Sequence, residues 1–193
     1  MFEWLQGLSG GAAAFVGSLT GSAIGLIALL LGALFNAYLN RRRDDALRSA
    51  DARSVAAALR AELISIEEML LANAKTLGSV NGEDSFYTPN VGNLVRVMPE
   101  LISKLGLLDV ETVKAILRAY GLIDQHSQQL ILLGGIPTGA KGLDGRLVLM
   151  RNQHAPLTAQ LNRNYAQTVR EAVDRLDPYV TPKSRMRSRP RAA

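Results

Sequence analysis

Residues 4–40 form a run of thirty-seven positions without one charged side chain, bounded by Glu3 and Arg41. Its densest part, residues 15–38, includes Ile24, Leu26, Ile27, Leu29, Leu30, Leu31, Leu34 and Phe35. A helix of about 20 apolar residues crosses a hydrocarbon core of roughly 30 Å. The glycines, serines and threonines in the run do not prevent this, because a helix satisfies its own backbone hydrogen bonds. Two other kinds of segment are comparably apolar. The core helix of a soluble protein is usually shorter and punctuated by polar positions. A secretory signal needs a basic start and a short apolar centre. Here Met1-Phe2-Glu3-Trp4 holds no Lys or Arg, and the apolar stretch runs directly into Arg41-Arg42-Arg43. The expectation is a transmembrane helix over residues 15–38.

Arg41, Arg42 and Arg43 follow the span and no Lys or Arg precedes it. Positive charge stays on the cytoplasmic side, so the N-terminus is expected outside and the domain after the span in the cytoplasm. Tyr38 suits the inner interface and Trp4 the outer one. The two are too far apart for one straight spanning helix. Gly10-Gly11 is the natural break, and residues 1–14 are expected as a periplasmic or interfacial segment. Gly17, Gly21 and Gly25 recur every fourth residue, with Ser18 and Ser22 beside them. Such a small-residue face lets two helix backbones approach closely, so it predicts contact with a copy of itself or with a partner membrane protein.

No Gly or Pro occurs in residues 33–77, so the membrane helix is expected to continue into the cytoplasm. Leu59, Leu63, Ile66, Leu70, Ala74 and Leu77 are spaced by alternating fours and threes, one apolar stripe that needs a partner helix. Arg60, Glu62, Glu67 and Glu68 are read as lying on other faces. Residues 78–93 read as a loop from which Phe86 and Tyr87 fold back onto the helices. Residues 94–105 read as a helix with Pro99 and Glu100 in its first turn, stopped by Gly106. Asp109 caps the next helix, which turns Val110, Val113, Ile116, Leu117, Tyr120 and Ile123 inward. Residues 134–145 read as a flexible glycine-rich loop. Residues 146–176 read as the last helix, kinked or split at Pro156, with Leu157, Leu161, Tyr165, Val169, Val173 and Leu176 inward and Glu171 paired to Arg175. The predicted fold is all-α: one transmembrane helix continuing into a small cytoplasmic bundle over residues 39–177, resembling an up-down arrangement. A disordered basic tail is expected over 178–193.

The chain has no cysteine, which excludes disulfides, cysteine-ligated zinc and thiol catalysis. The formal net charge is +5. It is carried entirely by Lys183, Arg185, Arg187, Arg189 and Arg191, since the tail holds no acid and the charges before it cancel. A flexible run of cations at a membrane meets anionic lipid first, at roughly 1 kcal/mol per Lys or Arg. Nucleic acid is the weaker partner reading, because no aromatic residue is interleaved with the cations. A plain solubilising tail is the third. His126 and His154 lie without a second ligand at metal spacing, and structural roles are expected for both. Gly134-Gly-Ile-Pro-Thr-Gly139-Ala-Lys141 departs from a phosphate loop: no Gly precedes Lys141, no Ser or Thr follows it, and a helix comes before it in place of a strand. No catalytic residue, metal ligand or cofactor is predicted, and the chain is read as not an enzyme.

The stretches Leu39-Asn-Arg-Arg-Arg-Asp-Asp45 and Ala56-Ala-Ala-Leu-Arg-Ala-Glu-Leu63, with Leu105-Gly-Leu-Leu108 and the helix after it, resemble a group of uncharacterised bacterial single-pass membrane proteins. The resemblance covers about half of the chain. It implies bacterial origin and the anchored topology, and it implies no activity. The functional expectation is an anchored interaction or accessory protein that associates through its glycine stripe and its cytoplasmic helices. The alternatives are a phage- or host-encoded envelope effector, such as a lysis or exclusion factor, and a membrane tether for nucleic acid through the tail.

Overall fold

The computed structural model describes residues 10–79, 85–138 and 146–181. The chain divides into two compact units, Met1–Ser49 and Ala50–Ala193. One helix, α1 (Gly10–Leu77), contributes to both, as the absence of breakers predicts. In the first unit its side chains stand in the open. Leu29, Leu30 and Leu31 are 73%, 56% and 62% exposed. Consecutive helix positions lie about 100° apart, so this segment is apolar on every side.

The second unit is built on the stripe of α1. Leu59, Leu63, Ile66 and Leu70 are fully buried, and Ala74 and Leu77 nearly so. Leu59, Leu63, Ile66 and Leu70 pack with residues of α2 (Val97–Leu101), α3 (Val110–Leu132) and α4 (Ala155–Val180). Met98, Ile116, Ile123, Val169 and Leu176 all join this first core. Asp109 caps α3 as expected, accepting from the backbone N–H groups of Glu111 and Thr112 at 3.0 Å each. The inward sets need correction at three positions. Val110, Leu117 and Leu157 are about half exposed or more, while Ile116, Tyr120, Ile123, Tyr165, Val169, Val173 and Leu176 are buried.

Helix directions follow from cross-contacts. Glu62 meets Tyr120, and Leu77 shares a second core with Leu130, so α1 and α3 run the same way. Arg60 meets Asp177 and His126 meets Asn162, so α4 runs opposite to both. The bundle is therefore not strictly up-down. Residues 78–109 carry the chain back along its length before α3 begins. Within that crossover a short 3-10 turn, Ile102–Leu107, continues past α2 and includes Gly106, which does not stop it.

A small sheet is the main addition to the predicted helices. Strands β1 (Ser85–Pro89), β2 (Ile136–Pro137) and β3 (Leu147–Arg151) pair antiparallel in the order β1-β3-β2. The first lies where a loop is predicted, and the third where α4 is predicted to begin. The helix instead starts at Ala155, with Pro156 in its first turn, where proline lacks only an N–H that is unbonded anyway. Phe86, Val148 and Met150 form the sheet's inner face and pack on Leu77, Leu130, Ala155 and Ala159 as the second core. Tyr87 points away from it, 61% exposed, so of the two aromatics only Phe86 folds back.

Two glycines shape the turn into β2. Gly134 has φ +85°, a conformation that side chains disfavour. A Cβ on Gly135 would lie 2.5 Å from Val148 Cγ1, 2.6 Å from Met150 Sδ and 2.7 Å from the Leu130 carbonyl oxygen. The chain thus passes directly over the second core, where only glycine fits. The G135A substitution should cost roughly 1–3 kcal/mol by overpacking. Thermal unfolding followed by circular dichroism should show a melting temperature lower by several degrees; an unchanged melt would contradict this packing.

Candidate functional site

The site expected in the first unit is the face of α1 that carries Gly17, Gly21 and Gly25. A Cβ added at any of the three would meet nothing within 4 Å. The face is open, free of any covering side chain among the described residues. Thr20 Oγ1 donates to the Val16 carbonyl at 2.7 Å, so its hydroxyl is satisfied within the helix and does not require water. Phe15, Leu19, Ile24 and Phe35 are all more than 60% exposed. Arg41, Arg42 and Arg43 come next on the same helix and are exposed. Lys183, Arg185, Arg187, Arg189 and Arg191 lie outside the described residues, as does Lys141 of the loop compared with a phosphate site.

The second unit holds a buried polar junction whose carboxylates are expected at the surface from residue type alone. Glu62 is 9% exposed. Its Oε1 accepts from the backbone N–H groups of Arg96 and Val97 at 2.6 Å each, and its Oε2 from Met98 N–H at 3.3 Å. These are the unbonded donors at the start of α2. The Tyr120 hydroxyl donates to Oε2 at 2.6 Å. Burial pushes the Tyr120 phenol well above its ordinary range, and the carboxylate beside it adds to the effect. Tyr120 therefore stays protonated and donates. One carboxylate thus joins α1, α2 and α3. Glu67, 5% exposed, similarly accepts from Arg170 Nε of α4 at 2.8 Å.

The sequence does carry a signal for both residues. Glu62 lies three positions after Leu59 and four before Ile66, and Glu67 lies four after Leu63 and three before Leu70. Those spacings put them on the flank of the apolar stripe, where a carboxylate needs a partner. The surface pair expected between Glu171 and Arg175 is replaced by Glu171 with Arg118 of α3 at 3.9 Å.

At the other end of α4, Tyr179 clasps the start of α3. Its hydroxyl accepts from Asp109 N–H at 2.8 Å and donates to Asp109 Oδ2 at 2.7 Å. Thr112 Oγ1 donates to the same oxygen at 2.6 Å. Bonds from the Thr112 hydroxyl, the Thr112 N–H and Tyr179 hold the Asp109 carboxyl well below the usual carboxylate range.

His126 is fully buried. Asn162 Nδ2 donates to the Thr158 carbonyl at 3.0 Å, so its Oδ1 faces His126 Nε2 at 3.1 Å and fixes the proton there. Nδ1 has no partner. Tyr165 packs edge-on to the ring at 5.8 Å. Burial lowers the His126 pKa, and the bond to Asn162 only partly opposes this. His154 lies at the start of α4 beside Gln153, well separated in sequence and bonding from His126. No cluster of three potential metal-ligating side chains occurs among the described residues.

These groups hold helices together: Glu62 ties α1 to α2 and α3, Glu67 ties α1 to α4, and Asp109 ties α3 to α4. No protein-family model matches this chain, and neither a curated protein nor a solved structure matches it.

Two measurements check the junction. E62A strands three backbone donors and a phenol, and should lower the unfolding free energy by roughly 3–5 kcal/mol. E62Q keeps an acceptor for α2 and should cost less than half as much. Equal effects of the two in denaturant titrations would contradict the assigned bonds. For His126 the unfolded chain binds a proton more readily than the folded one. Stability from this group is therefore complete above about pH 6.5 and is lost as pH falls toward the lower folded-state pKa. The wild-type stability profile should decline below about pH 6.5 more steeply than that of H126Q; parallel profiles would contradict the burial of a neutral ring.

Proposed function

We propose that residues 15–38 of α1 cross a bacterial inner membrane, with the N-terminus outside and the helical domain in the cytoplasm, that domain reaching Val180 of α4 and so past the expected tail start at Pro178. There the protein serves as an anchored interaction or accessory subunit and performs no chemistry of its own. The observation that carries this is the exposure of Leu29, Leu30 and Leu31 on three successive directions. A soluble partner that covers one face would leave the other two in water, at about 1.5–3 kcal/mol for each Leu side chain left unburied. Lipid covers all of them together. The helix is long and apolar enough to cross a membrane, and Arg41, Arg42 and Arg43 favour the cytoplasmic side for the domain C-terminal to them. The likeness of the juxtamembrane stretch to bacterial single-pass proteins supports the same topology.

Association through the open Gly17, Gly21 and Gly25 face would bring in a second copy or a partner membrane helix. Anionic lipid is the favoured partner of Lys183, Arg185, Arg187, Arg189 and Arg191.

The direct test places charge in the span. Arginine at a helix centre costs roughly 2.5–3.5 kcal/mol on insertion scales. The I27R/L30R variant should shift from the membrane pellet to the carbonate-extractable or degraded fraction, while the unaltered chain stays in the pellet. Equal pelleting of both would oppose the proposal.

A further inference from the structure

A sheet that packs one face on a core normally turns a polar face to water. Here the outer face is apolar. The strand register sets Tyr87, Leu149 and Ile136 side by side across β1, β3 and β2. Phe86, Val148 and Met150 alternate with them and point into the second core, so the row faces outward. Tyr87 is 61% and Ile136 64% exposed. Along β3 the outward Leu147 and Leu149 are half-buried and bracketed by exposed Arg146 and Arg151. At the Leu147 end the face runs into an open cavity of about 310 Å³, where Met69, Val91 and Leu94 meet Arg96 and Arg146. None of these three arginines is in an ion pair with a described residue, and no acid among the described residues lines the cavity.

We propose that this face docks a partner-protein segment carrying apolar side chains flanked by carboxylates. The inference deepens the interaction-protein reading, and it is separate from the glycine stripe. The apolar row supplies area to bury, and the arginine rim selects and orients an acidic partner. Tyr and Arg are also the residue types that most often anchor protein interfaces. A second copy fits poorly. Pairing this face with itself about a two-fold axis would bring three arginines, none ion-paired to a described residue, against three more.

The test is selection of random short displayed peptides on the full-length chain in detergent micelles, which makes the outcome independent of membrane insertion. Enriched peptides should combine Asp or Glu with Leu, Ile or aromatic residues. Y87S/I136S, both at exposed positions, should weaken binding by about tenfold or more without lowering the melting temperature. R146E/R151E should turn the preference toward Lys- and Arg-bearing peptides. Enrichment without acidic bias, or binding untouched by both variants, overturns the proposal. So does a dimer in analytical ultracentrifugation that Y87S/I136S converts to monomer. Those failures leave the pelleting behaviour of I27R/L30R, and with it the membrane reading, unaffected.

Discussion

The side chains of Leu29, Leu30 and Leu31 leave α1 in three directions, and each is more than half exposed. Thirty residues further along the same helix, Leu59, Leu63, Ile66 and Leu70 share one direction and are wholly buried. This change from all-round to one-sided apolarity is the constraint on which the rest depends. A helix that is apolar on every side is stable only in a surrounding that is apolar on every side. A helix with a single stripe needs one layer of partner helices. Arg41, Arg42 and Arg43 lie between the two regimes and end the uncharged run.

In the second unit, packing alone would not fix how the partner helices sit on that stripe, because Leu, Ile and Val tolerate shifts in register. Polar bonds supply the registration. Glu62 accepts from α2 and from Tyr120 of α3, Glu67 from Arg170 of α4, and His126 donates to Asn162. Asp109 and Tyr179 tie the start of α3 to the end of α4. Each bond joins elements distant in sequence, and each buried group would be costly without its partner. Two surfaces remain open among the described residues: the glycine-bearing face of α1 in the first unit, and the outer face of the sheet in the second.

Much of this fold is legible in the sequence, and the misreadings have physical causes. The extent of α1 follows from the lack of breakers, and the stripe from its four-and-three spacing. Asp109 is readable as a cap because Asp before an apolar helical pattern has few other uses. Residue type alone assigns Glu62 and Glu67 to solvent, although their spacing from Leu59, Ile66, Leu63 and Leu70 places them at the edge of the core. The strands are hidden for a different reason. Leu147-Val-Leu-Met150 is a short apolar run with no period of its own, which fits a helix as well as a strand. Its pairing with Ser85–Pro89 joins residues more than fifty positions apart, and nothing local encodes that. The closeness of Gly135 to Val148 and Met150 is likewise a tertiary fact. The apolar face made by Tyr87, Leu149 and Ile136 exists only once the register places three separate segments in one row.

The central claim is that α1 passes from an environment apolar in every direction to one apolar on a single side. Spin labels placed one at a time at residues 26–31 and 57–63 of the chain in bilayers, with power saturation by oxygen and by a water-soluble nickel chelate, measure this directly. The account predicts that oxygen reaches, and nickel is excluded from, every position over 26–31 with no helical period, and that nickel access over 57–63 rises and falls with a period of about 3.6 residues. Nickel access on one side of the helix at 26–31, repeating with that same period, would contradict it.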